Sequence, residues 1–324
     1  MMRVIVLAAS LLMSTCLSWA QAFPSKPITI IVGVAPGGTL DALARQVAQG
    51  LTSVLKQSVV VENTTGAGGL VGFQRLIKAE PDGHTLNFSN MSLLIIPHLH
   101  TKGSFDPLVD LVPVGTVATV PMVMAVSNAS GIKDLPGLMD HMRRNPGKVN
   151  LGSGGPGTTA HLAEAMFLNM NKVEGTLVQY RGTGPALVDV MSGVVDGIID
   201  QTVTLMPLHA DKRVRAIAVS SAQRLPQMAD VPTFAEGGMP HFDLRIWNGL
   251  VAPKGTPRAT LDKLANALAQ VMDSSEFKER VEKQLASQIP TAAERGPDAF
   301  RKLLEADSER ISSLVKAVGM KPAN

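Results

Sequence analysis

Ile28-Thr29-Ile30-Ile31-Val32, followed by Ala35-Pro36-Gly37-Gly38-Thr39-Leu40-Asp41, reads as a buried parallel strand, a glycine-rich turn and the start of a helix. Leu40, Leu43, Ala44, Val47, Leu51, Val54 and Leu55 recur after it at helical spacing. The turn therefore occupies a helix N-terminus, where the first N–H groups lack intrahelical partners and carry partial positive charge. Paired glycines let a carboxylate or phosphate approach that backbone. The stretch looks like half of an anion-binding cleft, with Pro36, Gly37, Gly38 and Thr39 as candidate contacts. Asp41 opens the helix, either steadying the dipole and the turn or touching the ligand itself.

The same rhythm continues along the chain. Strand signals at Val59 to Val61, Thr85 to Phe88, Val149 to Leu151, Leu177 to Gln179, Gly197 to Asp200 and Arg215 to Val219 alternate with helical ones. The helices are expected over Gly68 to Lys78, Leu135 to Arg144, Thr159 to Asn169 and Pro185 to Ser192. Such alternation predicts an α/β fold with a parallel sheet and crossover helices. Val112 to Val126 and Leu244 to Pro253 are extended apolar segments, placed as strands crossing between two lobes. Two crossings give a hinge and a clamp whose cleft lies beyond the strands' carboxyl ends. The expected division is a leader over 1–22, a first lobe from 23–120 and 247–324, and a second from 121–246. Amphipathic helices at Leu261 to Met272, Glu276 to Ala286 and Pro297 to Val318 read as scaffold.

The leader is a secretory signal peptide: Arg3 precedes the apolar run Val4 to Met13, and Ala20-Gln21-Ala22 stands before Phe23-Pro24. Cleavage near Ala22 places the mature protein in the periplasm. The only cysteine, Cys16, lies inside it, which removes disulfides, thiolate metal ligation and cysteine nucleophiles from the mature chain. Lys plus Arg number 30 against 27 Asp plus Glu, and aromatics are 4% of residues, so the charge is a balanced solvated surface and nucleic acid is excluded as a partner.

A second glycine-rich turn, Gly152-Ser153-Gly154-Gly155-Pro156-Gly157-Thr158-Thr159, joins a strand to a helix in the other lobe. One threonine is a natural N-cap, leaving the other and Ser153 to face the cleft. His161 is either a pocket donor or a first-turn residue with its ring on the core. Tyr180-Arg181-Gly182 forms a third turn, in which Arg181 pairs with a carboxylate or stays a solvated charge. Asp200 is unexpected, since a carboxylate in an anion cleft repels its ligand unless it orients donors or meets an amino group.

No catalytic apparatus is legible. Glu62 to Gly72 misses the dinucleotide fingerprint, with Val71 where its last glycine belongs. Gly152-Ser153-Gly154 lacks the frame of a nucleophile elbow. His98 and His100 have no third ligand at metal spacing, so neither metal nor cofactor is expected. An exported enzyme acting on a small anion is the weaker alternative.

Together these residues resemble the Bug-type extracytoplasmic solute receptors of tripartite tricarboxylate transporters. The signposts are Pro36 to Asp41 with Ala44-Arg45, Val61-Glu62-Asn63 with Gly66-Ala67-Gly68-Gly69, Pro81 to Leu86, and Phe105-Asp106-Pro107. Asn145 to Lys148, Gly152-Ser153, His161-Leu162, Tyr180-Arg181-Gly182, Asp230 to Thr233 and Ala252-Pro253 with Gly255-Thr256-Pro257 continue the series. The resemblance implies a two-lobed type II periplasmic-binding-protein fold; a monomer is expected, because a clamp that opens and closes gains nothing obvious from a permanent interface. It implies a carboxylate held by the first turn and by a loop after the Thr85 strand that carries Ser89, Asn90 and Ser92. From the other lobe Ser153, Thr158, Thr159, His161, Tyr180, Arg181 and Gly182 would close over the far end, and Asp200 falls at a pocket-facing position. The implied partners are membrane permease subunits or, alternatively, a sensor kinase. Leu40 stands where relatives carry a hydroxyl, which suggests a ligand with more apolar body than citrate.

Overall fold

The computed structural model describes residues 23–100 and 104–322; the expected leader, its cleavage near Ala22 and Cys16 lie outside them. Nine strands run in the order β2-β1-β3-β9-β4-β7-β5-β6, with β8 also on β4. They are β1 (Ile28–Val32), β2 (Val59–Asn63), β3 (Thr85–Asn90), β4 (Leu111–Val126), β5 (Asn150–Ser153), β6 (Thr176–Gln179), β7 (Gly197–Gln201), β8 (Arg215–Val219) and β9 (Arg245–Pro253).

β4 carries the two-lobed architecture. Its start, from Leu111 to Pro121, pairs antiparallel with β9, while Met122 to Val126 lies between β7 and β8. β1 pairs parallel with β2 and β3, and β5 parallel with β6 and β7, so each lobe has its own parallel unit. β9 is the antiparallel link between β3 and β4. Both extended segments singled out in the sequence are therefore the long strands shared along the sheet. All but two of the sixteen residues of β4 are buried, as expected for a strand covered on both faces.

Helices cover each face. α1 (Thr39–Leu55) and α8 (Arg258–Asp273) pack their apolar stripes on one side of the first lobe, around Leu43, Val47, Leu51, Leu264, Leu268 and Val271. On the other side lie α2 (Leu70–Ile77), α3 (Ser92–Leu99) and α10 (Pro297–Ala317), whose Phe300 meets Trp247 edge-on at 5.2 Å. α4 (Leu135–Arg144) and α5 (Thr159–Asn171) cover one face of the second lobe, α6 (Thr183–Ser192) and α7 (Thr202–Ala210) the other. The Trp247 indole N–H donates to Asp307 at 2.7 Å, tying the C-terminal helix to β9.

Three elements differ from the sequence reading. Ser89 and Asn90 end β3, and Ser92 begins α3, so no loop carries them. α3 and α7 show no amphipathic period and each contains a proline, Pro97 and Pro207, so nothing in their sequence marks a helix. The expected helix from Glu276 to Ala286 is a short α9 (Ser275–Lys278) followed by a wider π-type turn over Glu279–Gln284, which sets Phe277 and Val281 against the core. No helix among the described residues is long and apolar enough to cross a membrane.

Gly50 sits where α1 meets α8. A methyl group there would lie 2.4 Å from a Val271 methyl, and a β-branched helical side chain has nowhere to turn. Gly50→Ala gains about 1 kcal/mol in helix propensity but overpacks at a cost of about 1–3 kcal/mol. Urea unfolding should show net destabilisation, with Gly50→Ala costing less in a Val271→Ala background than in the wild type.

Candidate functional site

A cavity of about 40 Å3 lies between the lobes, at the carboxyl ends of β1, β3, β5 and β7. Six helices begin at its wall. From the first lobe come Thr39 of α1, the cap Gly69 of α2 and Ser92 of α3; from the second come Thr159 of α5, Thr183 of α6 and the cap Gln201 of α7. Each of these ends presents N–H groups without intrahelical partners, equivalent to about half a positive charge. Among the described residues, no lysine, arginine or histidine lines the cavity.

Three of its buried polar atoms are left open. The Thr39 hydroxyl and both polar atoms of Asn87 are buried without a protein partner, and Asn87 is only 1% exposed. Buried donors and acceptors without partners are costly unless a ligand or water meets them. Asn90 accepts the N–H of Ser92, the first residue of α3, at 2.9 Å, and Ser89 donates to the Asn90 carbonyl at 3.3 Å. Gln201 is held through Asn248, whose amide donates to it at 3.0 Å.

Eight residues singled out in the sequence line this cavity: Thr39, Ser89, Asn90, Ser92, Thr158, Thr159, Gly182 and Asp200. The other eight do not. Asp41 accepts from Arg45 at 2.9 Å, from Asn63 at 3.0 Å and from the Gly37 N–H at 3.2 Å, so it ties the first turn together. Burial opposes its ionisation, but Arg45, Asn63 and the Gly37 N–H outweigh it and hold the carboxyl below its ordinary value. Pro36, Gly37 and Arg181 are exposed, and Gly38 is buried on the seam opposite Thr183. Tyr180 donates to Asp189 at 2.5 Å, and burial together with that carboxylate pushes its hydroxyl up to about 12. The His161 ring, kept neutral by burial, accepts the Gly157 N–H through Nδ1 at 3.3 Å. Ser153 is buried beside Glu164, without a well-formed hydrogen bond to it. Thr158 caps α5, accepting from the His161 N–H. Asn87, Thr183 and Gln201 were missed. Asn87 had a signal, a polar residue between Leu86 and Phe88 inside a buried strand.

The lobes touch along a seam of glycines. The Ala35 N–H donates to the Arg181 carbonyl at 2.8 Å. A methyl group at Gly184 would sit 2.2 Å from the Pro36 carbonyl oxygen, and one at Gly68 would sit 1.7 Å from that of Pro156. Backbone meets backbone there, and the cleft is closed.

Comparison with known proteins agrees with this fold. The family model described as "Tripartite tricarboxylate transporter family receptor" matches residues 43–320. The chain belongs to that family. It is 37% identical over 97% of its length to the "UPF0065 protein in tcbD-tcbE intergenic region" of Pseudomonas sp. (strain P51), covering 93% of that protein. The solved structure of the periplasmic binding protein BugD matches 93% of the receptor and all of its own chain, with TM-score 0.88 and 30% identity. MatC from Rhodopseudomonas palustris, solved with bound malate, matches 90% of the receptor and all of its own chain, with TM-score 0.85 and 30% identity.

The seam and the Asp41 cluster make separable contributions. Gly184 lies in the first turn of α6, where alanine is a better helix former. Gly184→Ala blocks closure, so it should lower ligand affinity at least tenfold, read by calorimetry, while the open, ligand-free receptor keeps or gains melting temperature. Asp41→Ala removes a buried acceptor of charged hydrogen bonds and should cost about 1.5–3 kcal/mol of stability. Because the folded pKa of Asp41 is depressed, its stabilisation is present above the unfolded value near 3.8 and lost as pH falls through the folded one. The gap between wild type and Asp41→Ala in denaturant titrations should therefore shrink below about pH 4.

Proposed function

We propose that the receptor captures a small carboxylate in the periplasm by closing its lobes and delivers it to a membrane permease of the tripartite tricarboxylate type. One observation carries this reading: three helix N-termini from each lobe converge on a cavity in which the Thr39 hydroxyl and both polar atoms of Asn87 lack protein partners. Such a site suits an anion held by neutral donors, and its size, room for about three waters, suits a short ligand. The malate bound by MatC is a dicarboxylate of that kind. The hinge would run through β4 and β9, with 23–120 and 247–324 as one lobe and 121–246 as the other.

The energetics require both halves. Micromolar affinity needs about 8 kcal/mol. A partly buried helix terminus supplies up to about 2 and a charged hydrogen bond about 1.5–3, before the cost of closure. The three termini of one lobe supply at most about 6 kcal/mol, so the second lobe's termini are needed for tight binding and release follows from opening, without any covalent step.

Asn87 separates binding from folding. Asn87→Leu removes two buried unpaired polar groups, so the free receptor should unfold at the same or a higher temperature. Its calorimetric affinity for malate should drop at least tenfold, since about 1.5–3 kcal/mol of charged hydrogen bonding is lost. Unchanged malate affinity would take Asn87 out of the site. Failure of mono-, di- and tricarboxylates alike to raise the wild-type melting temperature would remove the carboxylate reading.

A further inference from the structure

Asp200 is the one ionisable side chain among the described residues lining the cavity, and only 2% of it is exposed. It stands at the head of α7, just before the cap Gln201, and the Thr204 hydroxyl donates to it at 2.8 Å. When ionised, Asp200 is itself the anion of these positive helix ends. Burial pushes its carboxyl above the ordinary value, against the Thr183 hydroxyl, the Gln201 N–H and the Thr204 hydroxyl, which favour the charged form.

The groups around it offer no countercharge. α5 contributes Glu164, fully buried and pushed well up by burial, and His161, which burial pushes down. α6 contributes Thr183 and Asp189, the latter engaged by Tyr180; α7 contributes Thr204 and, at its far end, His209, paired with Asp230 at 3.0 Å. β4 sets apolar Val123 opposite Asp200, and β5 contributes Ser153. Across the cleft, α1 holds Asp41 and Arg45, bound to each other. A carboxylate brought into this space meets a like charge with no cation between them, which favours neutralising one of the two.

We propose that the receptor takes up one proton at Asp200 when it closes on a carboxylate, the ligand replacing Asp200 as the anion of the site and the protonated carboxyl becoming a donor to it. This rests on the carboxylate reading above. The proton comes from solvent and ends on an Asp200 oxygen; no other bond forms or breaks. The sign follows from linkage: Asp200 binds its proton more tightly in the complex than in the free receptor, so affinity rises as pH falls. A receptor of this kind distinguishes anions that accept a hydrogen bond at that end from ligands with a cationic group there.

The test is titration calorimetry with malate from about pH 6 to 8.5, above the range in which ordinary carboxyls titrate, in phosphate and in Tris, whose ionisation heats differ. Malate Kd should weaken by up to tenfold per pH unit as pH rises, and the binding heat should differ between buffers in proportion to the proton absorbed. Asp200→Asn, checked for folding by its unfolding curve, should flatten both dependences and bind malate at pH 8.5 at least as tightly as wild type. A wild-type Kd flat with pH and heats equal in both buffers would overturn the proposal. So would a slope that persists in Asp200→Asn, or loss of malate by that variant at every pH. If Asp200→Asn does not fold, the wild-type buffer comparison decides alone. Malate binding without proton uptake sinks only this proposal, whereas a wild type that binds no carboxylate at any pH sinks the reading beneath it.

Discussion

An unpaired N–H at a helix start is the constraint from which this architecture follows. Such groups cannot bond within their own helix, and in a protein interior something else must meet them. Parallel strand–turn–helix units deliver them in sets, because every crossover starts its helix at the carboxyl end of a strand. Two such units face to face gather the six ends around Thr39, Gly69, Ser92, Thr159, Thr183 and Gln201. The first-lobe contribution is locked in by Asp41, whose bonds to Gly37, Arg45 and Asn63 shape the turn without entering the cavity.

Bringing the lobes together demands surfaces without side chains. Gly38, Gly68, Gly182 and Gly184 let carbonyl and amide groups of one lobe approach those of the other. Gly68, at φ +65, and Gly182, at φ +123, also hold left-handed backbone that L side chains rarely adopt. Gly68 and Gly182 do both jobs, lining the cavity and forming the seam that shuts it, whereas Gly38 and Gly184 serve the seam alone.

Much of the fold was legible because its signals are local. The apolar run of β1, the stripe from Leu40 to Leu55 and the glycine turns at 36–38 and 152–157 each follow from period and turn chemistry, and the two long strands stood out by their length. α3 and α7 were illegible because they are apolar all round and contain Pro97 and Pro207. In the candidate site, residues flanking a turn were found, but which of them face inward depends on rotation fixed only by packing. Tyr180 and Arg181 precede α6 and point to Asp189 and to solvent, whereas Thr183, two residues on, lines the cavity. Asn87 was legible only as a polar residue between Leu86 and Phe88 in a strand that otherwise reads as core.

The sheet order carries a consequence for how the molecule comes into being. β9 inserts between β3 and β4, yet more than a hundred residues separate it from either in the chain. Until Arg245 to Pro253 arrive, the β3 edge stands open and the first lobe has no centre, so its closure waits on contacts of long sequence separation, which form slowly. Such a chain stays unfolded for longer while it is being made, because its first-lobe sheet cannot be completed until the last quarter of the sequence is available.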